Sequence, residues 1–408
     1  MVPSSQFQVC QTKNQGLITK NCEPRTILLV AGGTGGHIFP ALGLATELKE
    51  LKINVHWAGT ARGMEKQIAL SHNLQFHSIP AGQFAGAPPH KKVQSILKMT
   101  WGFFQSLSLL NRIRPDALIA AGGFVSTPLL LAARAKKTKF FLLEQNRIPG
   151  RVVRAFSRYA AKTFLTFPVQ GQLPGPTLVT GTPLRKQLVK RAMKIPAPLV
   201  HVFQCQVPSS PNQEPGTMNQ EPSTSASPTV LVLGGSQGAR ALNLAALDMA
   251  AVLTNLRFII LTGRRDYPEI KSLIRSSNCE IIDWTDHPEE LYEQATLAVT
   301  RGGGLVLSEL LLFGIPAIII PFPFAADRHQ YANALYLSEQ GAAVLLEQSQ
   351  LSGLVSLVRS LIADQRKLKE MRKKARSLAQ PDATQKICST ILQELSLFPV
   401  SSSKSQEL

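Results

Sequence analysis

The chain has 408 residues, too many for one ordinary hydrophobic core, so two domains are expected. Its 44% hydrophobic and 17% charged residues fit a globular protein, and no run of about 18 residues lacks polar or helix-breaking side chains, which argues against a spanning helix. Lys and Arg number 44 against 26 Asp and Glu, and the net +18 favours anionic partners such as nucleic acid, acidic lipid or a phosphorylated substrate, although solubility alone also accounts for it.

The stretch Met1 to Pro24 is polar and lacks the apolar segment of a signal peptide. The five cysteines (Cys10, Cys22, Cys205, Cys279, Cys388) are odd in number and form no CxxC pair. A reduced, cytosolic protein without a metal cluster is the simplest expectation.

In chain order, β-rich runs at Thr26–Val30, Asn54–Trp57, Gln75–Ile79, Ala117–Ala120, Phe140–Leu143 and Thr163–Leu165 alternate with amphipathic segments such as Ala41–Leu51. Such alternation predicts βαβ units and a parallel sheet covered on both faces. Residues 205–228 are rich in Pro, Ser, Gln and Asn and read as a flexible insertion or linker. The pattern then restarts at "TVLVLGGSQGARALNLAALDMAAVL" (229–253), with further strands at Phe258–Leu261, Glu280–Ile282, Leu297–Val299, Ala317–Ile320 and Ala343–Leu345. A final amphipathic helix, about Asp382–Leu397, is placed to pack back on the first half. The expected layout is a tail (1–24), a first domain (25–185), a linker with the insertion (186–228), a second domain (229–380), the returning helix (381–398) and a tail (399–408).

Each half opens with a strand, a glycine turn and a helix: "GGTGG" at 32–36 and "GGSQG" at 234–238, with "RGGG" at 301–304 as a further turn. Ligands of open parallel sheets bind beyond the carboxyl ends of the strands, where unpaired N–H groups at a helix start attract phosphate. Glycine lets the backbone approach such a ligand closely. Neither half has GxGxxG followed by an acidic residue at the end of the next strand, and GxxxxGK[ST] is absent, so an NAD site and a P-loop are both disfavoured. Tight turns made for packing alone are the alternative.

Seven segments occur in one order: "GGTGGHIFPALGLA" (32–45), "AGGFVSTP" (121–128), "EQNRIPG" (144–150), "GTPLR" (181–185), "GGSQGA" (234–239), "RGGGLVLSEL" (301–310) and "PFPFAADRHQYANA" (321–334). Together they resemble glycosyltransferase family 28, the MurG family of peptidoglycan GlcNAc transferases, over about residues 25–395. The resemblance implies a GT-B fold: two Rossmann-like, doubly wound α/β domains facing across a cleft. It implies an inverting transfer of GlcNAc from UDP-GlcNAc to the 4-hydroxyl of the muramoyl sugar of lipid I, with no cofactor and no catalytic metal. It also implies a peripheral protein on the cytoplasmic face of the inner membrane.

The same resemblance assigns roles to residues. In the second half, Glu309 would accept from the ribose diol, Gly304 and Leu305 would meet the α-phosphate, and Ser236 and Gln237 the β-phosphate or sugar. Backbone near Trp284 and Thr285 would read uracil. Gln330 and Asn333, three apart on one helical face, would read GlcNAc hydroxyls. Asp327 is expected to cap that helix. Arg185 would neutralise the diphosphate, with its fork matched to phosphate oxygens. In the first half, Thr34, Gly35 and Gly36 would cradle diphosphate and Asn146 would bridge sugar and loop. His37 is the first candidate for the base, because imidazole titrates in a useful range; Glu144 is the second. Arg301 would help stabilise departing UDP. This chain has "RGGG" where the family commonly has "RSGA", which removes one hydroxyl.

"HKKVQSILKMTWGFFQSL" (90–107) mixes Lys91, Lys92 and Lys98 with Ile96, Leu97, Met99, Trp101, Phe103 and Phe104, and reads as a patch for an anionic membrane surface or as an ordinary core-facing helix. A UDP-GlcNAc 2-epimerase, or another GT-B sugar-nucleotide enzyme, is the alternative activity. A nucleic-acid binder is disfavoured, because no recognised motif appears and the basic residues do not gather in one tract.

Overall fold

The computed structural model describes residues 25–82, 89–195, 227–235 and 238–396. The two tails, most of the insertion, Cys10, Cys22, Cys205, Ser236 and Gln237 lie outside the described residues.

Two parallel sheets form. The first contains β1 (Thr26–Val30), β2 (Asn54–Gly59), β3 (Gln75–Ser78), β4 (Ala117–Ala120), β5 (Phe140–Glu144), β6 (Lys162–Leu165) and β7 (Thr177–Val179), in the order 3-2-1-4-5-6-7. The second contains β8 (Thr229–Leu233), β9 (Arg257–Leu261), β10 (Cys279–Ile282), β11 (Leu297–Thr300), β12 (Ala317–Ile319) and β13 (Ala343–Leu345), in the order 10-9-8-11-12-13. Central strands such as TILLV and TVLVL are almost continuously apolar because helices cover both faces. Ile27 pairs in register with Val55 on one side and Ala117 on the other. The strand order reverses between β1 and β4 and again between β8 and β11, and each reversal opens a crevice at the carboxyl ends of the strands.

Three elements differ from the sequence reading. The first helix begins at Gly35 and runs to Glu50, through Pro40. Proline there lies past the first four unpaired N–H groups, so it removes the interior bond that this position would make to the Gly36 carbonyl. β7 is a three-residue exposed edge strand between prolines, too short to give an alternating pattern. Residues Lys186–Lys194, expected in the linker, form a helix whose Leu188 and Ala192 lie in the core of the second domain with Leu310 and Phe313.

The last helix, Ala383–Ser396, returns to the first domain. Its Ile387, Cys388 and Ile391 are buried with Trp57 and Phe141, and each isoleucine contributes about 1.5–3 kcal/mol of burial. Lys139 Nζ donates to the Glu394 carbonyl at 2.7 Å, and Lys162 pairs with the Glu394 carboxylate at 3.3 Å.

A histidine pair links β2 and β3. Asn54 Nδ2 lies 3.1 Å from His56 Nε2, and His56 Nδ1 lies 2.8 Å from His77 Nε2. With the amide donating, His56 carries its proton on Nδ1 and donates to His77, so the chain needs both rings neutral. Burial lowers both pKa values, with the Arg112 charge adding to it, and His77 falls from 6.5 to about 4. An unfolded chain therefore binds more protons here than the folded one, and stability rises with pH. The contribution is complete above about pH 6.5 and is lost as pH falls towards about 4. Melting temperature should fall across that window in the native protein and fall less in His77→Gln; parallel curves would refute the assignment.

Candidate active site

The first crevice is built by the turns after β1 and β4. Trp57 is fully buried, and its indole donates to the Ala31 carbonyl at 3.1 Å, which fixes the strand end just before the glycines. Glu65, also fully buried, takes the Thr60 N–H at 2.9 Å and the Thr60 hydroxyl at 2.5 Å. A β-carbon on Gly32 would come within 2.6 Å of this carboxylate, so the turn needs glycine there for packing before any ligand is considered. Thr34 is exposed at the helix start, and its hydroxyl makes no capping bond. Gly35 and Gly36 form the first helical residues.

His37 therefore sits in the first turn of a helix, with its N–H donating to the Thr34 carbonyl at 3.0 Å. Its ring lies against the Gly122–Gly123 turn after β4, where a β-carbon on Gly122 would stand 3.3 Å from Cε1. Both glycines have positive φ, +90° and +76°, which only glycine adopts readily. Burial lowers the His37 pKa, the Ala121 carbonyl and the Gln145 side chain raise it, and His329 of the second domain lowers it further.

Glu144 ends β5 and is buried. Its Oε1 accepts from the Asn146 N–H at 2.9 Å and from Asn146 Nδ2 at 3.2 Å, and its Oε2 from the Gly150 N–H at 2.7 Å. Burial raises its pKa against these bonds. Glu144 thus holds the shape of its own loop, which weakens its candidacy as the base relative to His37.

The two domains meet at that loop. Asn333, on the helix His329–Glu339, is fully buried. Its Nδ2 donates to Asn146 Oδ1 at 3.0 Å and to the Gly302 carbonyl at 2.9 Å, while its Oδ1 accepts from the Arg147 N–H at 2.9 Å. All the hydrogen-bonding capacity of a carboxamide except one lone pair is used. A β-carbon on Gly304 would lie 2.1 Å from the Gln145 carbonyl, so "RGGG" supplies a backbone that the first domain can touch. Beside it the Thr166, Thr182 and Ser308 hydroxyls form a chain at 2.7 and 2.8 Å, which ends on the Gly304 carbonyl at 2.8 Å. Asn333, placed by the sequence among the sugar readers, is a clasp between the domains.

In the second crevice, Glu309 lies in the helix Gly304–Phe313 and is only 5% exposed, which removes the reading of it as a solvated first-turn glutamate. Its Oε2 accepts from the buried Tyr292 hydroxyl at 2.6 Å. Burial raises the Glu309 pKa, while Tyr292 and the Arg185 charge lower it. Leu305 is buried one turn earlier. Arg185 donates to the Asp286 carbonyl at 2.9 Å and lies 5.1 Å over Phe39, which stacks on Trp284 across the domain boundary with centroids 6.3 Å apart. Thr285 accepts the His287 N–H at 3.0 Å and shapes that loop. Gln330 Oε1 accepts from the Gly302 and Phe322 N–H groups at 3.2 and 2.9 Å. Arg301 reaches the Ile320 carbonyl at 3.1 Å and Gln348 at 2.8 Å, so its guanidinium ties loops together.

Asp327 does not cap its helix. The residue before the helix is Arg328, both residues have φ near +50°, and the Asp327 carboxylate pairs instead with Arg154 at 2.5 Å and Arg151 at 3.9 Å of the first domain. Behind the "GGSQG" turn lies buried Asp266, whose Oδ2 would be 2.5 Å from a β-carbon on Gly238. Asp266 thus stands behind this turn as Glu65 stands behind the turn after β1.

Residues 27–165 match the Glycosyltransferase family 28 N-terminal domain, and residues 229–387 match the Glycosyltransferase family 28 C-terminal domain. A relative from Methylococcus capsulatus is 34% identical over 378 residues, covering 91% of this chain and 99% of its own. The chain belongs to glycosyltransferase family 28. That relative carries the name UDP-N-acetylglucosamine--N-acetylmuramyl-(pentapeptide) pyrophosphoryl-undecaprenol N-acetylglucosamine transferase. A Coxiella burnetii protein of the same name is 32% identical over 368 residues, 88% of this chain and 96% of its own. The crystal structure of Acinetobacter baumannii MurG superposes on this family 28 chain with a TM-score of 0.68 at 26% identity, covering 91% of this chain and all of that one. A UDP-GlcNAc 2-epimerase from Neisseria meningitidis gives 0.61 at 15% identity over 90% of this chain and all of its own, a likeness of fold alone. The two-domain GT-B architecture read from the motifs is the one observed, and the enzyme is a glycosyltransferase.

Reading the sequence missed Gln145, Tyr292 and Glu65. Glu65 follows "GT" at the end of β2 and gave no charge pattern. Tyr292 lies four residues into a helix with Leu291 and reads as core.

Proposed function

We propose that this family 28 enzyme moves GlcNAc from UDP-GlcNAc to the 4-hydroxyl of the muramoyl sugar of lipid I, with inversion at the anomeric carbon. The observation that carries the reading is the placement of His37. Its ring stands at the switch point of the first sheet, packed on the Gly122–Gly123 turn, and burial lowers its pKa from the ordinary 6.5. The acceptor hydroxyl attacks C1 of GlcNAc while Nε2 of His37 takes its proton. The C1–oxygen bond to the diphosphate breaks and UDP leaves with the electron pair. Arg185 and the start of the Gly304–Phe313 helix would stabilise that negative charge. Glu309, held by Tyr292, serves the ribose. Thr34, Gly35 and Gly36 hold diphosphate at the opposite helix start. Mass spectrometry of a short-chain lipid I analogue incubated with UDP-GlcNAc should show a gain of one N-acetylhexosamine, and NMR a β linkage. An unmodified acceptor with epimerised donor would favour the epimerase.

A lipid-linked acceptor brings the enzyme to a membrane surface. Among the described residues no helix is long and apolar enough to cross a membrane. The helix Pro89–Ile113 instead presents Ile96, Leu97, Trp101 and Phe104 to solvent, with Leu97 65% and Trp101 62% exposed. These positions fall on one helical stripe, with Lys98 exposed beside them. Phe103 faces inward against the core, so it is not part of the patch. The Lys91 and Lys92 side chains lie outside the described residues. The stripe suits peripheral binding on the cytoplasmic face of the inner membrane, with each large side chain worth about 1.5–3 kcal/mol when fully buried. Trp101→Ser with Phe104→Ser should weaken sedimentation with anionic vesicles by about 100-fold or more while leaving UDP-GlcNAc binding intact. Unchanged sedimentation would refute this surface.

A further inference from the structure

Two buried polar atoms at the first switch point have no hydrogen-bond partner: Nδ1 of His37 and Oε1 of Gln145. They border the same spot. Gln145 Nε2 donates to the Ala121 carbonyl at 3.3 Å, and the His37 ring packs on the next residue, Gly122, where a β-carbon would stand 3.5 Å from Nδ1. Nε2 of His37 is not sealed off in this way. Gln145 has little freedom to leave: it is 4% exposed, its carbonyl meets Gly304 of the second domain, and its neighbours Glu144 and Asn146 are bonded to each other. Side chains alternate across a strand end, so Glu144 and Asn146 turn to the loop and Gln145 turns to the histidine side. The two are not bonded to each other in this structure, and one proton shared between them would satisfy both.

We propose that Gln145 is the positioning residue of His37: its amide oxygen, with the Ala121 carbonyl, holds the ring proton on Nδ1 and leaves the Nε2 lone pair as the base that faces the acceptor hydroxyl. This rests on the reading of His37 as the base. The arrangement follows the logic of a nucleophile–base–orienter triad, with a neutral amide in the third place. A neutral orienter fixes the tautomer without adding a negative charge to a crevice that must hold diphosphates. The titratable group of the second domain whose charge reaches His37 is His329, at the start of its helix. The Gly122–Gly123 turn offers none, and the Glu144 carboxylate is turned to Asn146 and Gly150.

The test uses the full chain with Gln145→Leu and Gln145→Glu beside His37→Ala. With ¹⁵N-labelled histidine, His37 should show the Nδ1–H tautomer in the native protein and shift towards Nε2–H in Gln145→Leu. In that variant kcat should fall about 10–100-fold with KM for UDP-GlcNAc within about twofold, because a misplaced proton removes the base and not the donor site. Gln145→Glu, equal in size, should recover much of kcat and move the acid limb of the kcat profile up by about one pH unit or more, as a carboxylate beside imidazole does. A native His37 tautomer and native kcat in Gln145→Leu, or an unmoved acid limb in Gln145→Glu, would overturn the proposal. If His37→Ala keeps its activity, the base assignment fails, and the tautomer spectrum of Gln145→Leu still decides the hydrogen bond separately.

Discussion

His37→Ala should lower kcat by about 10²–10⁴-fold, the usual worth of a positioned general base, while calorimetric binding of UDP-GlcNAc stays within about twofold. The separation follows from the architecture. His37 belongs to the first domain and packs on the Gly122–Gly123 turn, whereas Glu309, Tyr292 and the Gly304–Phe313 helix belong to the second. A base must be neutral to act, and burial holds the His37 pKa below its ordinary 6.5. The native rate should therefore persist below pH 6.5 and fall only as pH drops through the depressed value. The alanine variant should lack that limb. Donor affinity lost in step with kcat would place His37 in the donor site and not in proton transfer.

Asn333→Leu should lower kcat/KM by about 10–100-fold, equivalent to about 1.4–2.8 kcal/mol. The leucine is close in size but strands the Arg147 N–H, the Gly302 carbonyl and the Asn146 amide. Each buried orphan costs about 1–3 kcal/mol, and the domains avoid that penalty by parting and letting water in. The loss should thus appear as a larger radius of gyration in small-angle scattering, with little change in the melting of either domain. Asn333→Asp should be no better, since it sets a carboxylate oxygen against the Gly302 carbonyl. Asp327→Asn offers the contrast: its pairs with Arg151 and Arg154 are largely exposed, and such pairs contribute about 0–1 kcal/mol. A compact, fully active Asn333→Leu would refute the clasp.

The fold was legible because its signals are local. β-branched runs ending in glycine turns marked β1, β4, β8 and β11, and those strands flank the two crevices. Lys186–Lys194 carried a helical signal too, Leu188 and Ala192 four apart, but in a segment whose proline-rich continuation pointed to a linker. The site was legible in position and less so in partnership. Asn333 stands three residues from Gln330 on one face, which fits a pair of sugar readers; its actual partner Arg147 lies 186 residues away, and no periodicity encodes that. Gln145 was hidden between two more conspicuous polar neighbours, although strand alternation separates it from them. The apolar stripe at Ile96–Phe104 has the spacing of a core-facing helix, and only the packing of the other elements shows that it faces outward.

The central claim is transfer from a sugar nucleotide to a lipid-linked acceptor through a base in the first domain. The most direct measurement is UDP release from UDP-GlcNAc by the full chain, with and without a lipid I analogue. Release that requires the analogue, matches the sugar transferred and collapses in His37→Ala is the predicted result. UDP released without acceptor, or no turnover despite donor binding, would contradict it.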